Sequence, residues 1–129
     1  MDAAPRAGPA EPAVLLVDDE PLLLDSLGQE LAKVFRVFTA ASASDADTKL
    51  AARHYDVIIC DHMLPGEQGL DFLSRAMEMM PSTKRILMTG YTSPEFISRS
   101  TTIAGLSACL VKPLRASDVS AAVRAALAS

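Results

Sequence analysis

The sequence predicts an α/β fold, a doubly wound (βα)5 sandwich with a five-stranded parallel sheet and helices on both faces. Three observations carry that expectation. Five short runs of β-branched and aliphatic residues recur between longer stretches with helical spacing. The runs are continuously apolar rather than alternating, the pattern of strands covered on both faces. Short connections then make each strand–helix–strand unit a right-handed crossover into one parallel sheet.

Taken in order, Val14-Leu15-Leu16-Val17 reads as the first strand. Pro21, just past an acidic cluster, suits the first turn of a helix, whose stripe is Leu22, Leu23, Ser26, Leu27, Glu30 and Leu31. Val37-Phe38-Thr39 is the second strand, and Ala46, Leu50 and Ala51 stripe the second helix. Val57-Ile58-Ile59-Cys60 is the third strand, followed by a helix marked by Leu70, Phe72, Leu73, Met77 and Met80. After the fourth strand, Ile86-Leu87-Met88, a helix is expected from Pro94 to Ala104, closed by Gly105. Ala108 to Val111 is the fifth strand, and Ser117 caps a last helix striped by Val119, Val123 and Leu127. Residues 1–12, rich in Ala, Pro and Gly, read as a disordered leader ahead of one domain over 13–129.

A chain of 129 residues is one domain's worth, and 50% hydrophobic with 22% charged residues is a globular composition. The net charge of −4 argues against a nucleic-acid surface, which needs clustered Lys and Arg. No run approaches the ~18 apolar residues of a membrane span, and the opening segment lacks the apolar core of a secretory signal. Cys60 and Cys109 lie in separate runs, form no CxxC or metal-binding series, and read as buried thiols. A cytoplasmic protein with no membrane partner is the expectation.

Function is written at the strand ends. Asp18-Asp19-Glu20 follows the first run, Asp61 the third, Thr89 the fourth and Lys112-Pro113 the fifth. In an open parallel sheet the carboxyl ends share one edge, where ligands bind, so these groups converge. Adjacent carboxylates repel by about 4 kcal/mol at ~4 Å and an effective dielectric near 20. Hard oxygen ligands with room left for water are what Mg²⁺ prefers, and Asp18, Asp19 and Asp61 supply them. Lys112 begins at the same edge and can pair with those acids, while Thr89 can offer its hydroxyl to an anionic oxygen.

The motifs Leu-Leu-Val-Asp18-Asp19-Glu20-Pro21, Val-Ile-Ile-Cys-Asp61-His-Met-Leu-Pro65-Gly66-Glu-Gln-Gly69, Met-Thr89-Gly90-Tyr91 and Leu-Val-Lys112-Pro113 resemble those of the receiver domain of bacterial two-component response regulators. The resemblance covers about residues 13–128 and implies the flavodoxin-like form of the sandwich. It implies that Asp61 is the phosphoacceptor, taking a phosphoryl group from a sensor histidine kinase or phosphotransfer protein. It also implies Mg²⁺ held by Asp18, Asp19, Asp61 and the backbone carbonyl of Met63, with Thr89 and Lys112 on the phosphoryl group and a cis peptide at Pro113. Such a domain is a signalling phosphoacceptor rather than a turnover enzyme, and it switches a downstream effector. Receivers of this kind often dimerise through the face formed by the fourth helix, fifth strand and fifth helix, so a homodimer is one arrangement to expect.

Three departures from the family pattern carry information. Three residues before the lysine, where an aromatic switch usually stands, is Cys109; Tyr91, two residues after Thr89, is the candidate replacement reporter. Gly90 makes the following loop permissive. The Thr-Gly-Tyr-Thr pattern is similar to receivers attached to enhancer-binding or cyclic-dinucleotide phosphodiesterase effectors. Met63 and Tyr91 occupy the two positions that flank the path of hydrolytic water, and both are poor at orienting it, so self-dephosphorylation on the order of tens of minutes or slower is expected. His62 is left out of the site, because adjacent strand residues point to opposite faces. Two other readings compete. An aspartyl-nucleophile phosphohydrolase would want a general acid at position 63, where Met63 stands. A phosphorylation-independent interaction module would tend to lack one of the acids, the Thr or the Lys, and none is missing.

Overall fold

The computed structural model describes residues 11–129; the leader expected over 1–12 lies, apart from Glu11 and Pro12, outside them. Ten elements alternate: β1 (Ala13–Val17), α1 (Pro21–Leu31), β2 (Arg36–Ala40), α2 (Ala43–Ala52), β3 (Val57–Asp61), α3 (Gly69–Met79), β4 (Lys84–Thr89), α4 (Pro94–Ala104), β5 (Ala108–Val111) and α5 (Ala116–Ala128). The strands form one parallel sheet in the order β2-β1-β3-β4-β5. The doubly wound sandwich is therefore the observed fold. The order reverses between β1 and β3, which makes the carboxyl end of that strand pair the topological switch point.

Each central strand supplies two cores because successive side chains face opposite ways. Val14, Leu16, Val57, Ile59, Ile86 and Met88 pack under α1 and α5 with Leu27, Leu31, Val119 and Val123. On the other face Leu15, Val17, Ile58, Cys60 and Leu87 meet Ala43, Ala46, Phe72, Leu73 and Ala104. Burying one such aliphatic side chain contributes ~1.5–3 kcal/mol. Cys60 is buried as expected, while Cys109 is half-buried. Among the described residues no helix is long and apolar enough to cross a membrane.

Several expectations are corrected. The two edge strands are not covered on both faces: β5 is half-buried throughout, as is β2 apart from Ala40, because each has a strand neighbour on one side only. The stripe on α1 is narrower than read. Leu22 is 81% exposed, Ser26 and Glu30 are also exposed, and Leu27, Gly28 and Leu31 carry the buried face. Ser117 does not cap α5. That helix begins at Ala116, and Asp118 Oδ2 accepts the Arg115 N–H at 3.1 Å to close its first turn. β4 starts two residues earlier than the apolar run, because Arg85 is buried with its guanidinium on carbonyl oxygens of Ala104 and Gly105. Other boundaries agree closely, including Pro21 in the first turn of α1 and Gly105 at φ 56° ending α4.

Candidate functional site

Four strand ends deliver the site. Asp18 follows β1 and is kept in line by its N–H donating to Ala40 O at 3.1 Å. Its side chain is 1% exposed; Oδ1 accepts the Glu20 N–H at 2.9 Å, while Oδ2 is buried without a hydrogen-bond partner. Asp61 ends β3, also buried, in register with Met88 of β4. Lys112 follows β5 and its N–H donates to Thr89 O at 2.8 Å, which ties the last two strand ends together. Its ammonium lies 2.6 Å from Asp61 Oδ1 and 3.6 Å from Asp18 Oδ2. The Lys112–Pro113 peptide is cis. Thr89 is buried, and its hydroxyl accepts the Tyr91 N–H at 3.0 Å.

The loop after Asp61 is fixed by backbone. The His62 N–H donates to Met88 O and the Gly69 N–H to His62 O, both at 2.8 Å. Arg75 on α3 steadies the loop from outside with two hydrogen bonds to Glu67 and two to Asp47. Met63 sits at the loop's start with its side chain largely exposed, its Sδ 4.0 Å from the Tyr91 hydroxyl. His62 turns away from the acids, as its strand parity requires, and packs against the rings of Tyr91 and Phe96. Neither the packing of Phe96 on His62 nor the closeness of Gly69 to the end of β3 is legible in the sequence.

Electrostatics single out a cation site. Oxygens of Asp18, Asp19 and Asp61 all lie within 4.8 Å of one another. Lys112 alone does not neutralise three carboxylates. Burial pushes the Asp18 carboxyl above its ordinary range; the Glu20 N–H pulls it back, and the Asp61 charge pushes it further up. For Lys112, burial lowers the affinity for its proton, but the hydrogen bond and charge of Asp61 more than reverse that, leaving it raised. The orphaned Asp18 Oδ2 and the all-oxygen donor set fit a hard divalent ion such as Mg²⁺.

The Asp18→Asn variant isolates this charge. A carboxyl whose pKa is raised on folding is harder to ionise in the folded state, so its ionised form opposes folding; that cost sets in as pH rises above the ordinary value of 3.8 and is complete once pH has passed the raised folded value. Removing the charge should therefore stabilise the cation-free protein at neutral pH, by about 1 kcal/mol given the neighbouring like charges and the offsetting loss of attraction to Lys112. Added Mg²⁺ should raise the melting temperature of the native protein and raise that of the variant much less. Thermal denaturation with and without the ion checks both.

Comparison with known proteins decides the family. The response regulator receiver domain family matches this chain over residues 14–124. The chain belongs to that family. It is a receiver domain of two-component response regulators, and the doubly wound fold is the one its structural neighbours share. The receiver is 39% identical over 100 residues to the hydrogenase transcriptional regulatory protein HoxA of Cupriavidus necator, a match covering 78% of this chain and 21% of HoxA. It is 30% identical over 115 residues to the DNA-binding transcriptional activator DevR/DosR of Mycobacterium tuberculosis, covering 86% and 52% respectively. The chain thus spans between about a fifth and a half of the length of these curated relatives. Among solved structures, a CheY-like receiver domain protein from Methanospirillum hungatei superimposes with a TM-score of 0.85 at 30% identity, covering 92% of this chain and 95% of that one. The receiver domain of an HD domain-containing protein from Pseudomonas fluorescens superimposes at 0.84 with 32% identity and the same coverage.

Proposed function

We propose that this receiver accepts a phosphoryl group on Asp61 from a histidine kinase or phosphotransfer protein and, once modified, changes how it engages an effector. The observation that carries the reading is the Lys112 ammonium 2.6 Å from Asp61 Oδ1, beside three clustered carboxylates. Asp61 is the nucleophile: one carboxylate oxygen bonds to phosphorus as the bond from phosphorus to the donor's leaving atom breaks. Charge in that transfer spreads over the equatorial oxygens. The Lys112 ammonium and the Thr89 hydroxyl, whose oxygen accepts the Tyr91 N–H, would meet that charge. Mg²⁺ held by Asp18, Asp19, Asp61 and the Met63 carbonyl would neutralise the phosphoryl oxygens. In this reading the domain is a signalling phosphoacceptor rather than a turnover enzyme, and it acts in the cytoplasm. The output domain or protein is a transcriptional or other effector of the sort its relatives carry.

The phosphohydrolase reading is disfavoured by Met63, a thioether with no proton to give, where a general acid would stand. Met63 and Tyr91, whose Sδ and hydroxyl lie 4.0 Å apart, stand at the two positions that flank the path of hydrolytic water in this family, and both are poor at orienting it. The phosphorylated protein should therefore lose its phosphoryl group on the order of tens of minutes or slower; a lifetime of seconds in Mg²⁺ would contradict this. The function itself is tested by incubation with acetyl phosphate and Mg²⁺ followed by intact-mass measurement. A gain of one phosphoryl group, absent in Asp61→Asn and absent with chelator, is expected. No gain in the native protein, with acetyl phosphate or a phosphorylated kinase, would favour the phosphorylation-independent module.

A further inference from the structure

Three rings meet between the acceptor strand and α4. His62, directly after Asp61, lies edge-on to Tyr91 with centroids 5.6 Å apart and to Phe96 at 5.1 Å, and Tyr91 and Phe96 are themselves 5.1 Å apart. Edge-to-face packing of this kind stabilises beyond the area it buries. Each ring comes from a different part of the fold: the end of β3, the loop after β4, and the first turn of α4. The Tyr91 N–H also donates to the Thr89 hydroxyl at 3.0 Å. On the Tyr91 side, one hydrogen bond and one residue, Gly90, connect the site to the rings, and the space around Gly90 is open.

We propose, resting on the phosphoacceptor reading, that the His62–Tyr91–Phe96 ring cluster is a latch that reports the state of Asp61 to α4. A phosphoryl group that draws the Thr89 hydroxyl inward moves Tyr91, the rings separate, and the amino end of α4 swings away. Position 109, on the neighbouring β5, holds a half-buried cysteine with no ring to serve this purpose. Two observations support a two-state element. His62 is 3% exposed and its Nδ1 has no hydrogen-bond partner. An unpaired buried polar atom costs free energy, which brings the latched arrangement closer in energy to an open one, as a population shift requires. The far end of α4, by contrast, is anchored: buried Arg85 donates to Ala104 O at 2.8 Å and Gly105 O at 3.1 Å. With that end held, release at Phe96 becomes a pivot.

Amide hydrogen exchange on the whole protein, with and without acetyl phosphate and Mg²⁺, tests the latch. In the native protein phosphorylation should speed exchange across residues 91–100 by about three- to tenfold, matching the stabilisation that edge-to-face ring pairs supply, and leave α2 unchanged. Phe96→Leu should take up the phosphoryl group as the native protein does, yet show fast exchange in α4 beforehand and no further change. Tyr91→Phe keeps the ring and should respond like the native protein. Tyr91→Leu repeats the test should Phe96→Leu fail to fold. A leucine variant that keeps slow exchange and the full response overturns the latch, as does a phosphorylated native protein whose α4 exchange is unaltered. Failure of the native protein to gain mass would instead overturn the phosphoacceptor reading on which the latch rests.

Discussion

Gly69→Ala should destabilise the receiver by about 3–5 kcal/mol and disturb Asp61 at the same time. A Cβ at position 69 would lie 2.0 Å from the Asp61 carbonyl oxygen, 2.8 Å from its carbonyl carbon and 3.0 Å from His62 Cα. All three are backbone atoms, so no side-chain rotation relieves the clash. The Gly69 N–H also donates to His62 O, which closes the 62–68 loop. Either α3 must lift from the sheet or the end of β3, carrying Asp61, must move. Gly90→Ala provides the contrast, with nothing within 4 Å of its added methyl, and should change stability by less than about 0.5 kcal/mol. Urea denaturation should show the midpoint of Gly69→Ala far below that of the native protein, and its phosphoryl uptake should fall even where it remains folded. A normal midpoint would mean that β3 and α3 are not held as closely as described.

Lys112→Met should slow phosphoryl uptake from acetyl phosphate by about a hundredfold or more, the cost of removing one positioned charge from a transfer that relies on electrostatics. The ammonium is the only cation among the described residues in ion-pair contact with both Asp61 and Asp18, at 2.6 and 3.6 Å. Its removal leaves the carboxylates within 4.8 Å of one another without a balancing charge, so the variant's affinity for Mg²⁺ should hold or rise. That split separates a role on the phosphoryl group from one in organising the metal site. Single-turnover uptake rates at saturating Mg²⁺, alongside a metal titration, measure it. Equal loss of metal affinity and rate would assign Lys112 to the metal site alone.

The strands are legible as continuous β-branched and aliphatic runs, and those other than β2 end at chemically distinctive residues, Asp18, Asp61, Thr89 and Lys112, which mark the sheet edge where the candidate site lies. The helix faces are less so. Leu22 and Ser26 fit a helical period as well as Leu27 does, but only the position of α1 over the sheet decides which residues are covered. Arg85 concealed the start of β4, since a buried guanidinium bonding to carbonyls at the end of α4 looks like any charged residue in sequence. Asp118 capped α5 where Ser117 was expected, as either residue type satisfies a first turn and backbone geometry makes the choice. Tyr91 is marked in the sequence by its spacing from Thr89. Its partners His62 and Phe96 are not, since ring packing between distant segments leaves no periodic trace. Gly69 stood inside a recognisable motif, yet its closeness to Asp61 is visible only once α3 is packed on β3.

Locating the phosphoryl group on the chain decides whether Asp61 is the acceptor. After treatment with acetyl phosphate and Mg²⁺, borohydride reduces an aspartyl phosphate to homoserine, which peptide mass spectrometry places in the sequence. Homoserine is expected at position 61 and at no other aspartate, and none should form when Mg²⁺ is chelated. Homoserine at Asp18 or Asp19, or an unmodified Asp61 in a protein that has gained phosphoryl mass, would contradict the assignment.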